Sequence, residues 1–171
     1  DNCYEAAKHA GVLEEKLLDQ VKDELAAIKP MSAVFDRRYV KRLDGPNVKK
    51  GKNKKDLAEQ LIADIRKFKA DNGCDRLVLL WVGSTEVYMT EAPCHQSIAA
   101  FEQGLEASDP AISSSLIYAY AAIKEGIPYA NAAPNLSAEI PALRELAQQT
   151  GSPVCGNDMK TGQTLIKTVI A

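Results

Sequence analysis

The chain has 171 residues, of which 46% are apolar and 26% charged, and its formal net charge is -2. This charge gives no support for nucleic acid or an anionic membrane as a partner. No apolar run approaches the roughly 20 residues that span a bilayer, and the opening DNCYEAAKHA lacks the features of an export signal. The composition therefore predicts a soluble globular domain of ordinary size.

Both ends of the sequence lie within helical patterns, and no methionine opens it. We therefore expect an internal piece of a longer protein. A processed mature protein is the alternative.

Two amphipathic helices are predicted in the first half of the chain. Residues 12–29 place apolar side chains at helical spacing until Pro30 ends the run. The same pattern returns in residues 54–73, where Gly73 suits a left-handed helix end. Five lysines between residues 49 and 55 precede this second helix. They predict a solvated loop, with phosphate contact as the alternative.

The remaining sequence alternates between short apolar runs and helical patterns. Residues 76–82, RLVLLWV, form a near-continuous apolar run without alternation, which is typical of a strand buried on both faces of a parallel sheet. Further strands are predicted at 127–131 and 152–156, and helices at 97–107, 113–126, 140–151 and from 161 onward. This alternation predicts an α/β fold with a mainly parallel sheet flanked by helices.

The cysteines and histidines do not indicate a metal site. Cys3, Cys74, Cys94 and Cys155 have no CxxC spacing, so reduced thiols in a cytoplasmic protein are expected. Cys155 lies in an apolar run and is expected in the core. His9 and His95 are far apart in the sequence, which favours surface or capping roles.

Polar loops follow each predicted strand: GSTE at 83–86, NAAPN at 131–135 and GNDMKTGQT at 156–164. Ligands of open α/β sheets bind beyond the carboxyl ends of the strands, so these loops are expected to line one cleft. Ser84 or Thr85 capping a helix is the alternative for the first loop. No GxGxxG occurs, so the usual pyrophosphate-binding turn is missing from these residues.

The third loop carries the strongest chemical signal. A helix predicted from Thr161 would offer free N–H groups to an anion, and Lys160 would add a positive charge beside them. Asp158 could pair with Lys160, bind a hydroxyl or hold a cofactor amide. The pattern favours a phosphorylated, hydroxylated small molecule, and a capped helix with a surface ion pair is the alternative.

Three stretches together resemble the inositol-3-phosphate synthase family, also called myo-inositol-1-phosphate synthase. They are LLWVGSTEVY, SSSLIYAYAAIKEGIPYANAAPN and GNDMKTGQTLIKT, in the order and spacing of the family. The details are most similar to a bacterial branch. Asn157 stands where many members have Asp, Leu165 where many have Lys, and Ser84 replaces a common Asn.

The resemblance implies an NAD-dependent isomerase that converts glucose 6-phosphate into inositol phosphate for inositol and phospholipid biosynthesis. Members oxidise the sugar, enolise it, close the ring by an aldol step and reduce the product with the same NADH. They are homotetramers, so a homo-oligomer is expected. The resemblance places residues 1–156 in a partial Rossmann-like, NAD-binding domain and residues 157–171 at the start of the catalytic region.

Roles for individual residues also follow from the resemblance. Lys160 and Asp158 are the expected catalytic residues, and Asp158 also lies near the nicotinamide. Gly83, Ser84 and Thr85 are expected to contact the cofactor, while Ser115, Asn131, Asn135 and Lys160 are expected to bind the substrate; no metal is expected. A lysine suits this chemistry because an ammonium stabilises negative charge developing on a sugar oxygen.

Two alternatives remain for the function. One is a non-catalytic α/β module that binds a sugar phosphate or dinucleotide. The other is an NAD-linked sugar-phosphate dehydrogenase that releases its NADH. The family's glycine loop lies upstream of the matched region and further lysines lie downstream, so the isolated 171 residues are expected to be inactive.

Overall fold

The structure, a computed structural model, describes residues 2–159 and 169–170. The chain divides into two compact units, residues 1–33 and 34–171. The functional boundary expected after residue 156 is a different kind of division and stays a prediction. Within the described part of the chain, no helix has both the length and the apolar character to cross a bilayer.

The first unit holds three short helices: α1 (Cys3–Ala10), α2 (Glu15–Gln20) and α3 (Lys22–Ala27). The single helix predicted over residues 12–29 is therefore wrong. Val21 leaves the helical region, with φ -119° and ψ 19°, so the apolar residues no longer share one face. Leu18 is buried, whereas Leu13 and Ile28 are exposed.

Four longer helices in the second unit confirm the helical predictions. They are α4 (Lys54–Asp71), α5 (Ile98–Glu106), α6 (Ser114–Lys124) and α7 (Pro141–Thr150). Asn53 begins α4 by accepting a hydrogen bond from the Asp56 N–H at 2.9 Å. Gly151 ends α7 with φ 67°. This is a left-handed backbone conformation that residues other than glycine rarely adopt.

The sheet of the second unit confirms the α/β prediction. Strands β1 (Leu79–Trp81), β2 (Tyr129–Asn131) and β3 (Val154–Cys155) are parallel and lie in the order β1-β2-β3. The register places Leu80 beside Ala130 and Ala130 beside Cys155. Helices α5 and α6 connect β1 to β2, and α7 connects β2 to β3.

The prediction that residues 76–82 are buried on both faces is wrong for one face. Val78, Leu80 and Val82 are 70%, 45% and 70% exposed. Leu79 and Trp81, which alternate with them, pack against the core. Cys155 shares the outer face through its register with Ala130 and is also exposed, so its predicted place in the core is wrong.

Helix α6 is the centre of the core. Nine of its residues are buried, and it contacts α4, α7, β1 and β2. The largest fully buried apolar side chains of the unit are Tyr120, Tyr129, Phe101, Leu105, Ile112, Leu116, Ile117, Ile123, Ile140 and Leu143. Helix α6 begins at Ser114, and Ser115 is hydrogen-bonded to Glu86 and Asn135 in the loops that follow β1 and β2. The core therefore fixes the N-terminus of α6 relative to those loops.

Candidate functional site at the carboxyl ends of the strands

The three parallel strands end at one edge of the sheet, as the sequence predicts. Trp81 ends β1 and pairs with Asn131 at the end of β2, and Cys155 ends β3. The polar loops that follow these strands therefore meet at this edge. We call their shared hydrogen-bonded side chains the edge network: Glu86, Ser115, Asn131, Asn135, Asn157 and Glu139.

Glu86 joins three elements at one end of the edge network. Its carboxylate accepts hydrogen bonds from the Ser115 N–H at 2.9 Å, from the Ser115 hydroxyl at 2.6 Å and from the Asn135 Nδ2 at 3.3 Å. Asn135 Nδ2 also donates to Ser115 Oγ at 2.9 Å. All three side chains are buried. The hydroxyl proton of Ser115 is therefore directed to Glu86.

The start of α6 explains how a carboxylate is accommodated in this interior. Ser115 is the second residue of the helix, where backbone N–H groups have no partner within the helix. The positive end of the helix dipole favours an anion at this position. Ser113, which precedes the helix, places its hydroxyl 3.1 Å from that of Ser115.

Asn131 holds the middle of the edge network. Its Nδ2 donates to the Asn135 backbone carbonyl at 3.0 Å and to Asn157 Oδ1 at 2.9 Å, and its Oδ1 accepts from the Ala133 N–H at 3.0 Å. The side chain is 1% exposed, so these bonds replace contacts with water. Asn131 therefore connects the loop after β2 to the loop after β3.

The loop after β3 packs closely against β2. A Cβ placed at Gly156 would lie 2.7 Å from the Asn131 carbonyl oxygen, so glycine permits this approach. The Asp158 N–H donates to the Ala133 carbonyl at 3.2 Å, and Asp158 is partly buried with φ 61°. Asn157 Nδ2 donates to Glu139.

A cavity of about 280 Å³ adjoins this loop, and Arg144 from α7 contributes to its lining together with Glu139 and Asn157. Lys160 and the predicted helix start at residues 161–164 lie outside the described residues.

The turn of Gly83, Ser84 and Thr85 is exposed, in contrast to Glu86, Ser115, Asn131 and Asn135 of the edge network, which are buried. Among the described residues, the next helical element along the chain begins at Pro93, so Ser84 and Thr85 do not cap a helix. The capping alternative for this loop is therefore wrong. The turn presents two hydroxyl groups and its backbone at the carboxyl end of β1.

A second buried contact lies beneath the network. The Tyr129 hydroxyl and Ser137 Oγ are 2.8 Å apart, and burial raises the pKa of Tyr129 well above its usual range. Tyr129 is therefore neutral and serves as a hydrogen-bonding group of the core. Within residues 2–159 and 169–170, no group of three or more His, Cys, Asp or Glu side chains is placed to hold a metal ion.

The structure brings together several residues that the sequence singled out, namely Ser115, Asn131, Asn135 and Asp158, on adjoining loops of one edge. Sequence reasoning missed Glu86, Glu139 and Arg144 as members of this region. A signal existed for Glu86, because it belongs to the polar loop GSTE that follows the first strand. Glu139 lies in the turn before α7 and Arg144 lies in α7, and the sequence gives no such signal for either residue.

Comparisons with known proteins agree on one family. The model of an NAD-binding domain described as myo-inositol-1-phosphate synthase matches residues 1–171. An inositol-3-phosphate synthase of Bacteroides thetaiotaomicron is 50% identical over 100% of this chain and 40% of that protein. The enzyme of Saccharomyces cerevisiae is 29% identical over 99% of this chain and 34% of its own length.

A solved structure of inositol-3-phosphate synthase from Caenorhabditis elegans superimposes with a TM-score of 0.86 and 31% identity. The match covers 97% of this chain and 33% of that one. The chain thus spans 40% or less of the length of these relatives.

Proposed function

Because this chain belongs to the myo-inositol-1-phosphate synthase family, we propose that its complete gene product converts glucose 6-phosphate into 1D-myo-inositol 3-phosphate with NAD as cofactor. The observation that carries the proposal is the match of the family model over residues 1–171. Substrate and product are isomers, so the reaction balances without net oxidation. We assign residues 1–156 to the NAD-binding part and residues 157–171 to the start of the catalytic part.

The turn of Gly83, Ser84 and Thr85 suits contact with NAD. It is exposed at the carboxyl end of β1, where α/β sheets take their ligands. Its hydroxyl groups and backbone N–H groups match the hydrogen-bond acceptors of a dinucleotide. When bound, NAD would supply a reversible hydride acceptor, for oxidation of the substrate and then for reduction of the cyclised intermediate to the product.

Asp158 and Lys160 are the proposed catalytic residues. Asp158 follows β3, and its backbone is held to Ala133 at the sheet edge, which supports a place beside the nicotinamide. Lys160 lies outside the described residues, and its role rests on the family resemblance. Its ammonium would stabilise negative charge on the sugar oxygen during oxidation and enolisation, or move a proton there.

Ser115, Asn131 and Asn135 are proposed to contribute to substrate binding, together with Lys160. All three side chains are buried; those of Ser115 and Asn135 are hydrogen-bonded to each other and to Glu86, and that of Asn131 donates to the Asn135 backbone carbonyl. This arrangement supports a role in forming the floor of the substrate site, since buried bonds fix the position of the loops above them.

Assembly, location and pathway are further parts of the proposal. By resemblance to the family, we propose a cytoplasmic homotetramer whose product enters phospholipid biosynthesis. Light scattering of the purified complete protein tests the assembly, and a monomer would contradict it.

The proposed reaction is tested by incubating the purified complete gene product with glucose 6-phosphate and NAD. We expect inositol phosphate, identified by NMR, with NAD needed only in catalytic amounts. NADH accumulating in proportion to substrate consumed would indicate a dehydrogenase instead. Binding of both ligands without any product would favour the non-catalytic module. The 171-residue chain by itself is expected to give no product.

A further inference from the structure

The exposed turn Gly83–Thr85 is anchored at both of its ends. At the first end, a Cβ on Gly83 would lie 2.7 Å from a ring carbon of Trp81, so glycine allows the backbone to lie against the indole. At the other end, Glu86 follows Thr85 directly and is 4% exposed. The turn is therefore a short exposed segment between the partly buried Trp81 and the buried Glu86.

The attachment at Glu86 is made by the carboxylate. It accepts from the Ser115 N–H and hydroxyl and from Asn135 Nδ2, as described above. The next residue, Val87, donates its N–H to the Tyr39 carbonyl at 2.8 Å. The chain that leaves the turn is thus fixed to α6, to the loop after β2 and to the segment around Tyr39.

We propose that Glu86 is a positioning residue for dinucleotide binding, because its carboxylate holds the Gly83–Thr85 turn in one conformation relative to α6 and the loop after β2. The inference rests on the proposed function, in which this turn contacts NAD. Glu86 acts through the turn and through Ser115 and Asn135. A preformed turn binds its ligand more tightly because less conformational freedom is lost on binding.

The chemistry of the cluster shows why a carboxylate is needed at this position. All three of its partners are donors, and a carboxylate only accepts. Glu86→Gln keeps the volume and the bond from the Ser115 N–H. The amide nitrogen of this variant would, however, face Asn135 Nδ2, so that two hydrogen-bond donors would meet. In the native chain, Asn135 Nδ2 lies 3.3 Å from the carboxylate oxygen.

An exchange of the two groups provides a rescue. In Glu86→Gln with Asn135→Asp, the amide lies at residue 86 and the carboxylate at residue 135. The donors and acceptors that link residues 86, 115 and 135 then match again, with one negative charge in the cluster as before. Asn135→Asp alone sets two carboxylates side by side and is expected to be the least stable variant.

The test measures the dissociation constant of NAD by calorimetry on the complete gene product, well below the melting temperature of each variant. We expect Glu86→Gln to raise this dissociation constant about tenfold or more, because a tenfold change corresponds to the loss of a hydrogen bond to a charged group. The exchange variant should return to within about threefold of wild type. Leu143→Ala, in the buried face of α7, is the control that lowers stability without touching the turn.

Each outcome decides the inference. An NAD dissociation constant for Glu86→Gln within about twofold of wild type would overturn it, as would an equal loss of affinity in Leu143→Ala. If Glu86→Gln does not fold, the exchange variant decides: near-normal affinity supports the inference, and weak affinity in a folded protein overturns it. Failure of both to fold also overturns it, since Glu86 then serves folding alone.

The result is separable from the proposed function. NAD binding by wild type without formation of inositol phosphate would refute the proposed reaction and leave the inference to be judged on the variants. Absence of NAD binding by wild type would refute both.

Discussion

The Lys54 ammonium lies 2.7 Å from the Tyr39 hydroxyl in the interior of the second unit. It also donates to the backbone carbonyls of Asp109, at 2.7 Å, and Ile112. The Tyr39 hydroxyl in turn donates to the carbonyls of Pro110 and Ile112, each at 2.9 Å. Lysine and tyrosine together fix the turn that precedes α6. Burial lowers the pKa of Lys54 to about 8.

We predict that Lys54 makes stability rise with pH above about 8. The unfolded chain keeps the lysine proton up to its ordinary pKa of 10.5, whereas the folded chain releases it near 8. Between these values the unfolded state binds more protons, so the free energy of unfolding increases with pH, by up to about 1 kcal/mol per pH unit. Urea unfolding of wild type and Lys54→Met at pH 7.5, 8.5 and 9.5 measures this difference.

Lys69→Met is the control for that experiment, because Lys69 is exposed on the same helix. It should follow wild type at each pH. Tyr39 and Cys94, whose pKa values are raised by burial, are present in both proteins and titrate at higher pH in the folded state. A constant difference across the three pH values would contradict the prediction.

Lys54 also illustrates what the sequence could and could not predict. The lysines between 49 and 55 predict a solvated loop, and this is wrong for Lys54, which is 5% exposed. Asn53 caps α4 and makes Lys54 its first residue, beside the turn that precedes α6. That contact joins residues more than fifty positions apart, and no local pattern of charge records it.

Periodicity and capping residues, in contrast, predicted the helices well. The helices over residues 54–73, 113–126 and 140–151 are present, and Gly73, Gly126 and Gly151 adopt positive φ where they follow them. These features depend on neighbours within a few residues. The burial of a strand depends on what covers each face of the sheet, so an unbroken apolar run did not predict that Val78 and Val82 are exposed.

The candidate site shows the same difference between features that depend on local sequence and features that depend on long-range packing. The α/β pattern predicted which loops meet at the carboxyl edge, because parallel strands all end on one side. The pattern did not predict that Ser115 is fully buried, with its proton directed to Glu86. Such a bond depends on the distance between the β1 loop and the start of α6, which packing of the core sets.

We predict that His95 makes the fold less stable as the pH falls below about 6.5. Its Nδ1 accepts from the Ala92 N–H at 3.1 Å, and its Nε2 lies 3.0 Å from the Ala111 carbonyl, so the ring is neutral with its proton on Nε2. Burial lowers its pKa in the folded state. As the pH drops, the unfolded chain gains this proton first, and the free energy of unfolding decreases.

The measurement for His95 is urea unfolding of wild type and His95→Gln at pH 7.5, 6.5 and 5.5. The advantage of wild type over the variant should shrink toward pH 5.5. His9→Gln, at an exposed position in α1, is the control and should leave the pH dependence unchanged. An advantage that is the same at all three pH values would show that His95 does not titrate in this range.

Asn131 is expected to contribute strongly to stability through the edge network. Asn131→Ala removes both donors and the acceptor at a position that is 1% exposed, and leaves the Asn135 carbonyl and the Ala133 N–H without their partner. Unpaired buried groups cost about 1–3 kcal/mol each, so we expect a loss of about 3 kcal/mol in urea unfolding. Asn131→Asp keeps the acceptor for the Ala133 N–H, so it should lose less stability than Asn131→Ala, and its free energy of unfolding should increase as the pH is lowered. A loss below about 1 kcal/mol for Asn131→Ala would contradict this assignment.

Lys160→Ala in the complete gene product is predicted to lower turnover of glucose 6-phosphate by about a hundredfold or more. The physical reason is that an ammonium contributes most where negative charge develops in the transition state, and neither water nor a methyl group can replace it there. The rate of inositol phosphate formation measures the effect, and circular dichroism checks that the fold is retained.

Lys160→Arg keeps the charge but changes the geometry and cannot release a proton, so its turnover distinguishes the two proposed roles. If arginine restores most of the activity, charge stabilisation accounts for the role, and if it does not, proton transfer is favoured. Lys69→Ala, on the exposed face of α4, is the control and should turn over normally. Near-normal turnover in Lys160→Ala itself would remove this lysine from the reaction.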